Sequence, residues 1–215
     1  MTAKANVGAN DGALHWWWIR HAPSASAANI IHGTDNVAAD LHDAEALSRL
    51  ANMLPPSLPA VTSSVARAVE TYDALRALNP ALCAADVEAD FREQDFGAWT
   101  GCTWDEIAPE APQFWNNPVD TAPPGGESYA FMCRRVVRRI VTLSAKRQEG
   151  AIVSVAHAGT IRAALALALD LDFAASIRFE IEPLSMTRID AFVGPSDVSW
   201  RVHSVNVPVA GPDPE

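Results

Sequence analysis

What this chain has little of narrows its class before any motif is read. Cysteine occurs three times, at Cys83, Cys102 and Cys133, widely spaced and odd in number. That leaves no disulfide framework or Cys-x-x-Cys metal knuckle, and it points to a reducing cytoplasm. Basic residues are scarce beside acidic ones, 16 against 26, for a net charge of −10. A general nucleic-acid binder needs basic surface, so no nucleic-acid partner is expected. A small anionic substrate stays compatible, because a local arginine cluster can dominate its own cleft. No apolar run approaches the ~18 residues of a membrane span, and residues 1–13 lack the apolar core of a signal peptide. No membrane partner is expected, and repeats and low-complexity tracts are missing too. What is present is a chain of 215 residues with 49% hydrophobic and 20% charged residues, enough for one domain or a small pair with a substantial core.

The stretch from Trp16 to Pro23, Trp-Trp-Trp-Ile-Arg-His-Ala-Pro, is the focus of the chain. Consecutive bulky apolar residues predict a strand buried on both faces. Arg20 and His21 stand where it runs out, and Pro23 turns the chain. Ligands of open α/β sheets bind just beyond the carboxyl ends of strands. There an arginine followed by a histidine combines a fixed cation with a nucleophile; the plainer reading is a surface pair after a core strand.

Residues 22–42 read as loop, with His32, Asp35 and Asp40 solvated in it. Asp43 is a fair N-cap for a helix through Leu47, Leu50 and Leu54, stopped by Pro55 and Pro56. Residues 60–64 predict a second strand, with Ser64 capping a helix through Tyr72 and Leu75. Arg67 falls in that helix's first turn, where a cation is disfavoured, so it is either functional or a surface arginine. A short strand over 85–89 leads to an irregular run around Glu93 dense in carboxylates and aromatics. Residues 102–126, with Trp104, Phe114 and Trp115, form a long connection that is either a binding loop or a satellite hydrophobic cluster. A helix over 129–148 carries Phe131, Val136, Val137, Ile140 and Leu143 as its apolar set, and its arginines, Arg135 included, are expected on a solvated face. Residues 151–156 are another buried strand, followed at once by His157 and an alanine-leucine helix to Leu169. Two strand-like runs, 186–192 and 199–205, suggest a closing hairpin.

Alternating strands and helices predict a three-layer α/β/α sandwich with a mostly parallel central sheet. His21, Arg67, Glu93 and His157 then all follow strands and gather on one edge of the sheet.

Five blocks in order now carry a resemblance. They are Arg20-His21-Ala22-Pro23; Thr62-Ser63-Ser64-x-x-Arg67-Ala68-x-x-Thr71; Arg92-Glu93-x-Asp95-Phe96-Gly97-x-Trp99-x-Gly101; Pro124-Gly125-Gly126-Glu127-Ser128; and His157-Ala158-Gly159. Together they resemble the histidine phosphatase superfamily, phosphoglycerate mutase-like, and within it the α-ribazole phosphatase-like branch. The likeness runs from about Trp16 to Leu169, and it implies a single histidine phosphatase domain over 14–207 with flexible termini at 1–13 and 208–215. It implies that His21 is the phosphorylated nucleophile, that Arg20, Arg67 and His157 bind the phosphoryl oxygens, and that Glu93 is the proton donor. It implies a small phosphorylated metabolite as substrate, no metal or other cofactor, and room for a homodimer. Two positions depart from the family pattern. Ala22 replaces the usual glycine of Arg-His-Gly, and Ala27 stands where mutase-like members carry an asparagine.

The residue types suit phosphoryl transfer, which depends on positioning and charge neutralisation. Arginine forks match phosphate oxygens, neutral histidine attacks in line, and a carboxylic acid protonates the leaving oxygen. Two histidines could also suggest a metal pair, but the adjoining arginines would repel a cation. A mutase needs longer covering segments to exclude water, so hydrolysis is expected. The alternatives are mutase-type transfer and a non-catalytic module that binds a phosphate ligand.

Overall fold

A computed structural model describes residues 12–27, 29–109 and 111–209. Its central strand is the tryptophan run. β1, Leu14–Arg20, lies between a parallel and an antiparallel neighbour, with both faces covered. Because side chains alternate along a strand, Trp16 and Trp18 point to one face and Trp17 and Ile19 to the other. Trp16 and Trp18 stack at 4.9 Å, and Phe91 meets Trp18 edge-on at 5.3 Å. The buried Trp16 indole N–H donates to Ser144 Oγ at 2.9 Å.

Along the chain follow α1 (Ala44–Met53), β2 (Ala60–Ser63), α2 (Ala66–Leu78) and β3 (Ala85–Glu88). Next come two short helices, α3 (Trp104–Ile107) and α4 (Pro112–Asn116), then α5 (Tyr129–Arg147), β4 (Gly150–Ala156) and α6 (Ala158–Leu169). The short α7 (Phe173–Ser176) precedes the hairpin of β5 (Met186–Val193) and β6 (Val198–Val207). The strands form a six-stranded sheet in the order β3-β2-β4-β1-β5-β6. β3, β2, β4 and β1 run parallel, and β5 and β6 close one edge antiparallel. α1 and α2 cover one face through Leu47, Leu50, Tyr72 and Leu75, while α5 and α6 cover the other through Met132, Val136, Ile140 and Ile161. This is the α/β/α sandwich with a mostly parallel sheet.

Some local expectations change. Val65 caps α2 without a side-chain bond, and it is Ser63 Oγ, not Ser64, that accepts the Val65 N–H. Phe131 stands 54% exposed on α5, whereas Arg135 is buried. The connection 102–126 folds into α3 and α4 over a satellite core of Ile31, Ile107, Ala111 and Phe114. Most of the terminal segments 1–13 and 208–215 lies outside the described residues; Ala13, which is described, is buried and its carbonyl accepts from Gly150 N. No helix among the described residues is long and apolar enough to cross a membrane.

Candidate active site

The four parallel strands each deliver a polar residue at or just beyond their carboxyl ends. His21 follows β1 and continues its ladder, its N–H donating to Ala156 O at 2.9 Å. The ring Nδ1 bonds the Ala22 carbonyl oxygen. A carbonyl can only accept, so Nδ1 carries the proton and Nε2 keeps its lone pair. That lone pair accepts from Arg67 Nε at 3.1 Å. Burial first, then the neighbouring Arg67 charge, push the His21 pKa down to about 3, so the ring is neutral at ordinary pH. Ala22 N–H donates to Thr71 Oγ1 at 3.0 Å, and the Ala22 methyl packs in the core. The alanine in place of glycine therefore leaves both backbone contacts intact.

Arg67 stands in the first turn of α2 but turns back into the protein and is 2% exposed. Its guanidinium donates to Asp35 O at 3.0 Å and Gly33 O at 2.7 Å as well as to His21. These carbonyls, supplied by the loop after β1, explain how a cation sits at a helix N-terminus. Burial lowers the pKa of Arg67, and Glu93 opposes that shift.

His157 follows β4 and is fully buried, its ring 4.9 Å from that of His21 between centroids. Nε2 bonds Ser63 Oγ at 2.7 Å, and Nδ1 has no hydrogen-bond partner among the described residues. Burial, followed by His21 and Arg67, holds its pKa well below the usual histidine range. Arg20 donates from one terminal nitrogen to Ile181 O at 2.5 Å, and its Nε is likewise buried without a partner.

Glu93 lies after β3 on an irregular segment. Oε1 accepts from Gln94 N at 3.0 Å, and Oε2 accepts from Gly159 N, in the first turn of α6, at 3.2 Å. A helix N-terminus favours such a carboxylate. The segment is braced by Arg135, which donates to the carbonyls of Asp90, Arg92 and Glu93 at 2.7, 2.9 and 2.9 Å. Arg135 also forms a fork with Glu127, at 2.6 and 3.2 Å. Glu127 follows a tight turn in which a Cβ on Gly126 would stand 2.4 Å from Asp95 O. The Pro-Gly-Gly-Glu-Ser block is therefore a support for the Glu93 segment.

Arg20, His21, Arg67 and Glu93 line one cleft of about 600 Å³, with His157 immediately behind His21. All five residues singled out from the sequence converge. His32 lines the same cleft, its Nε2 bonding Ser26 Oγ at 2.6 Å, while Asp40 pairs with the exposed His42 away from it. Sequence reading missed Arg135, and it assigned no role to Arg162, which lines the cleft and donates from Nε to Phe179 O at 2.8 Å. The one available signal for Arg135 is its place three residues after Met132, on the margin of the buried stripe of α5.

A family model described as histidine phosphatase superfamily (branch 1) matches residues 17–207. The bifunctional protein Rv2228c of Mycobacterium tuberculosis is 32% identical over 130 residues, covering 59% of this chain and 35% of that protein. The chain thus spans little more than a third of the curated relatives it matches. A mycobacterial glucosyl-3-phosphoglycerate phosphatase superposes with a TM-score of 0.77 at 24% identity, over 91% of this chain and 99% of that one. A candidate α-ribazole-5′-P phosphatase from Escherichia coli gives 0.75 at 20%, over 91% and 98%. At these identities the two structures speak for the fold. The family match extends from β1 through β6 and takes in the whole strand-end cluster, so this chain belongs to branch 1 of the histidine phosphatase superfamily.

Proposed function

We propose that the protein is a metal-independent phosphomonoesterase that works through a phosphohistidine on His21. One observation carries this reading: a neutral His21 whose Nε2 lone pair faces Arg67 in a cleft that Arg20 and Glu93 also line. Arg20 and Arg67 supply the positive charge that a phosphoryl dianion needs, with His157 as a third contact.

In the first step Nε2 attacks phosphorus in line while the Arg67 N–H passes from the ring to a phosphoryl oxygen. The bond from phosphorus to the alcohol oxygen breaks as Glu93 hands that oxygen a proton. The Ala22 carbonyl holds the Nδ1 proton throughout and steadies the positive charge that the ring gains. In the second step Glu93 takes a proton from water, the water oxygen attacks phosphorus, and the phosphorus–nitrogen bond breaks. Inorganic phosphate leaves and His21 is neutral again. The cleft is open to solvent, which supports water rather than a second alcohol as the acceptor. The substrate class is a small phosphorylated metabolite.

Acid-quenched and base-quenched reactions with labelled substrate test the reading. Label on His21 should survive base and be lost in acid, as a phosphoramidate is. His21→Ala should lose activity by ~10⁴-fold or more, and a chelator should leave the parent rate unchanged. Label recovered on a serine or cysteine would overturn the proposal.

A further inference from the structure

Two of the large apolar side chains that remain exposed stand on the wall of this cleft, Trp104 at 36% and Trp115 at 44%. They belong to a set of rings that meet mostly edge to face. Phe96 and Trp104 are 5.4 Å apart at 83°, Trp104 and Trp115 5.5 Å at 65°, and Phe114 and Trp115 5.3 Å at 84°. Phe114 is committed to the satellite core, whereas the two indoles keep surface toward the cleft. Adjacent exposed aromatics in a concave site mark a binding surface more often than idle exposure.

The wall is held in place. Thr103 and Glu106 form a capping box at the start of α3, so Trp104 begins a helix with a defined direction. Ile31 N–H donates to Cys102 O at 2.9 Å, and Gly101 N–H to Ile31 O at 2.8 Å. Two residues after Ile31, the Gly33 carbonyl holds Arg67. The aromatic wall and the phosphate end therefore share one backbone frame, and the span between them is set before any ligand arrives.

The chemistry of this part of the cleft points to the ligand. Beyond its phosphate end the cleft is lined by Ile30, Pro118 and Ile177, whose side chains have no hydrogen-bonding group, and by the polar Ser24, Gln94, Tyr129 and Arg162. Laid against the indole faces, a polyol chain would give up water for surface with few acceptors or donors, whereas a planar ring gives up little and gains two aromatic neighbours. We propose that Trp104 and Trp115 form a stacking subsite for a planar ring in the leaving alcohol, which makes ring-bearing alkyl phosphomonoesters the preferred substrate class over polyol phosphates. This rests on the hydrolytic reading of the cleft and adds a specificity to it.

The test separates stacking from leaving-group reactivity by comparing alcohols of similar acidity. Values of kcat/KM would be measured for 2-phenylethyl phosphate, propyl phosphate and glucose 6-phosphate. The ring-bearing ester should lead both by roughly 5- to 100-fold, the range that ring stacking on aromatic side chains provides. Trp115→Ala and Trp104→Ala should shrink the phenylethyl-to-propyl ratio about 5-fold or more, mainly through KM, and Trp115→Phe should restore most of it. Equal values for the three esters, a lead for the sugar ester, or a ratio untouched in both alanine variants would overturn the subsite. Binding of the uncleavable 2-phenylethylphosphonate and propylphosphonate, followed by calorimetry, makes the test independent of turnover. A preference for the ring-bearing phosphonate upholds the subsite in the absence of hydrolysis, and equal binding removes it even in an active enzyme.

Discussion

A β-carbon on Gly159 would stand 2.2 Å from Glu93 Oε1, and the Gly159 N–H donates to Glu93 Oε2 at 3.2 Å. One residue thus supplies both the space and the hydrogen bond that hold the carboxylate at the mouth of α6. The nearest other atom to that β-carbon is Met132 Cε, at 3.0 Å. Both obstacles are the ends of flexible side chains, so an alanine displaces Glu93 instead of breaking the backbone. Gly159→Ala should therefore fold with a near-parental melting temperature and lose activity on alkyl phosphates by about 10²-fold or more, within the range of lost general acid catalysis. Melting curves and steady-state rates check this; a folded variant with parental kinetics would separate Glu93 from the reaction.

Glu93→Gln should distinguish the two proton transfers assigned to that residue. An alkyl phosphate expels a strongly basic alkoxide and needs the acid, whereas a nitrophenyl phosphate expels a stable phenoxide and does not. Loss of the acid should slow alkyl esters by up to ~10²–10⁴-fold in the first step. Hydrolysis of phosphohistidine is common to both substrates and should slow equally. Rapid mixing should then show a nitrophenol burst near one equivalent per site, followed by slow turnover. A uniform loss without a burst would mark Glu93 as a positioning residue.

Arg135 predicts a stability effect coupled to activity. Its side chain is 4% exposed and that of its partner Glu127 10%, so Arg135→Met leaves a buried carboxylate unpaired. Removing one partner of such a pair destabilises by about 3–5 kcal/mol. The carbonyls of Asp90, Arg92 and Glu93 lose their donor as well. Urea unfolding should show a lower midpoint at unchanged slope, and the variant that remains folded should have a reduced kcat because the Glu93 segment loosens. A parental midpoint would refute the brace.

The depressed pKa of His21 has a sign in stability. Burial and Arg67 hold it at about 3 in the fold, against about 6.5 in an unfolded chain. Between those values the unfolded state binds a proton that the folded state does not, so stability falls as pH drops from about 6.5 toward about 3. His157 acts in the same direction, through burial first and His21 second. Each such ring contributes about 1.4 kcal/mol per pH unit within its window. Unfolding free energies measured across mildly acidic pH should have a shallower slope in His21→Gln by about that amount. Parallel slopes would mean that His21 titrates alike in both states.

Much of the fold was written locally. Trp16 to Ile19 announce a strand buried on both faces because only such a strand tolerates consecutive large apolar side chains. Asp43 and Ser128 mark helix starts because their side chains accept the N–H groups of Ala46 and Phe131. Once the strands were placed, the parallel order carried His21, Arg67, Glu93 and His157 to one edge, since each follows the carboxyl end of its strand.

Other features depend on elements far apart in the chain, and no local pattern reports them. Arg135 reads as a solvated arginine until the segment after β3 folds over it and offers three carbonyls. Gly159 carries no role of its own in the His157-Ala158-Gly159 block until Glu93, 66 residues earlier, occupies the space of its missing side chain. The tautomer of His21 follows from the Ala22 carbonyl and the Arg67 N–H, and whether Trp104 and Trp115 are core or cleft wall follows from how α3 and α4 pack on the loop after β1. By itself the sequence determined the period, the strand ends and the Asp43 cap, because these are contests between near neighbours, whereas the Ser64 cap it offered is not formed. Burial, hydrogen-bond partners and charge were decided only by tertiary structure, because each is a sum over groups that the folded chain alone brings together.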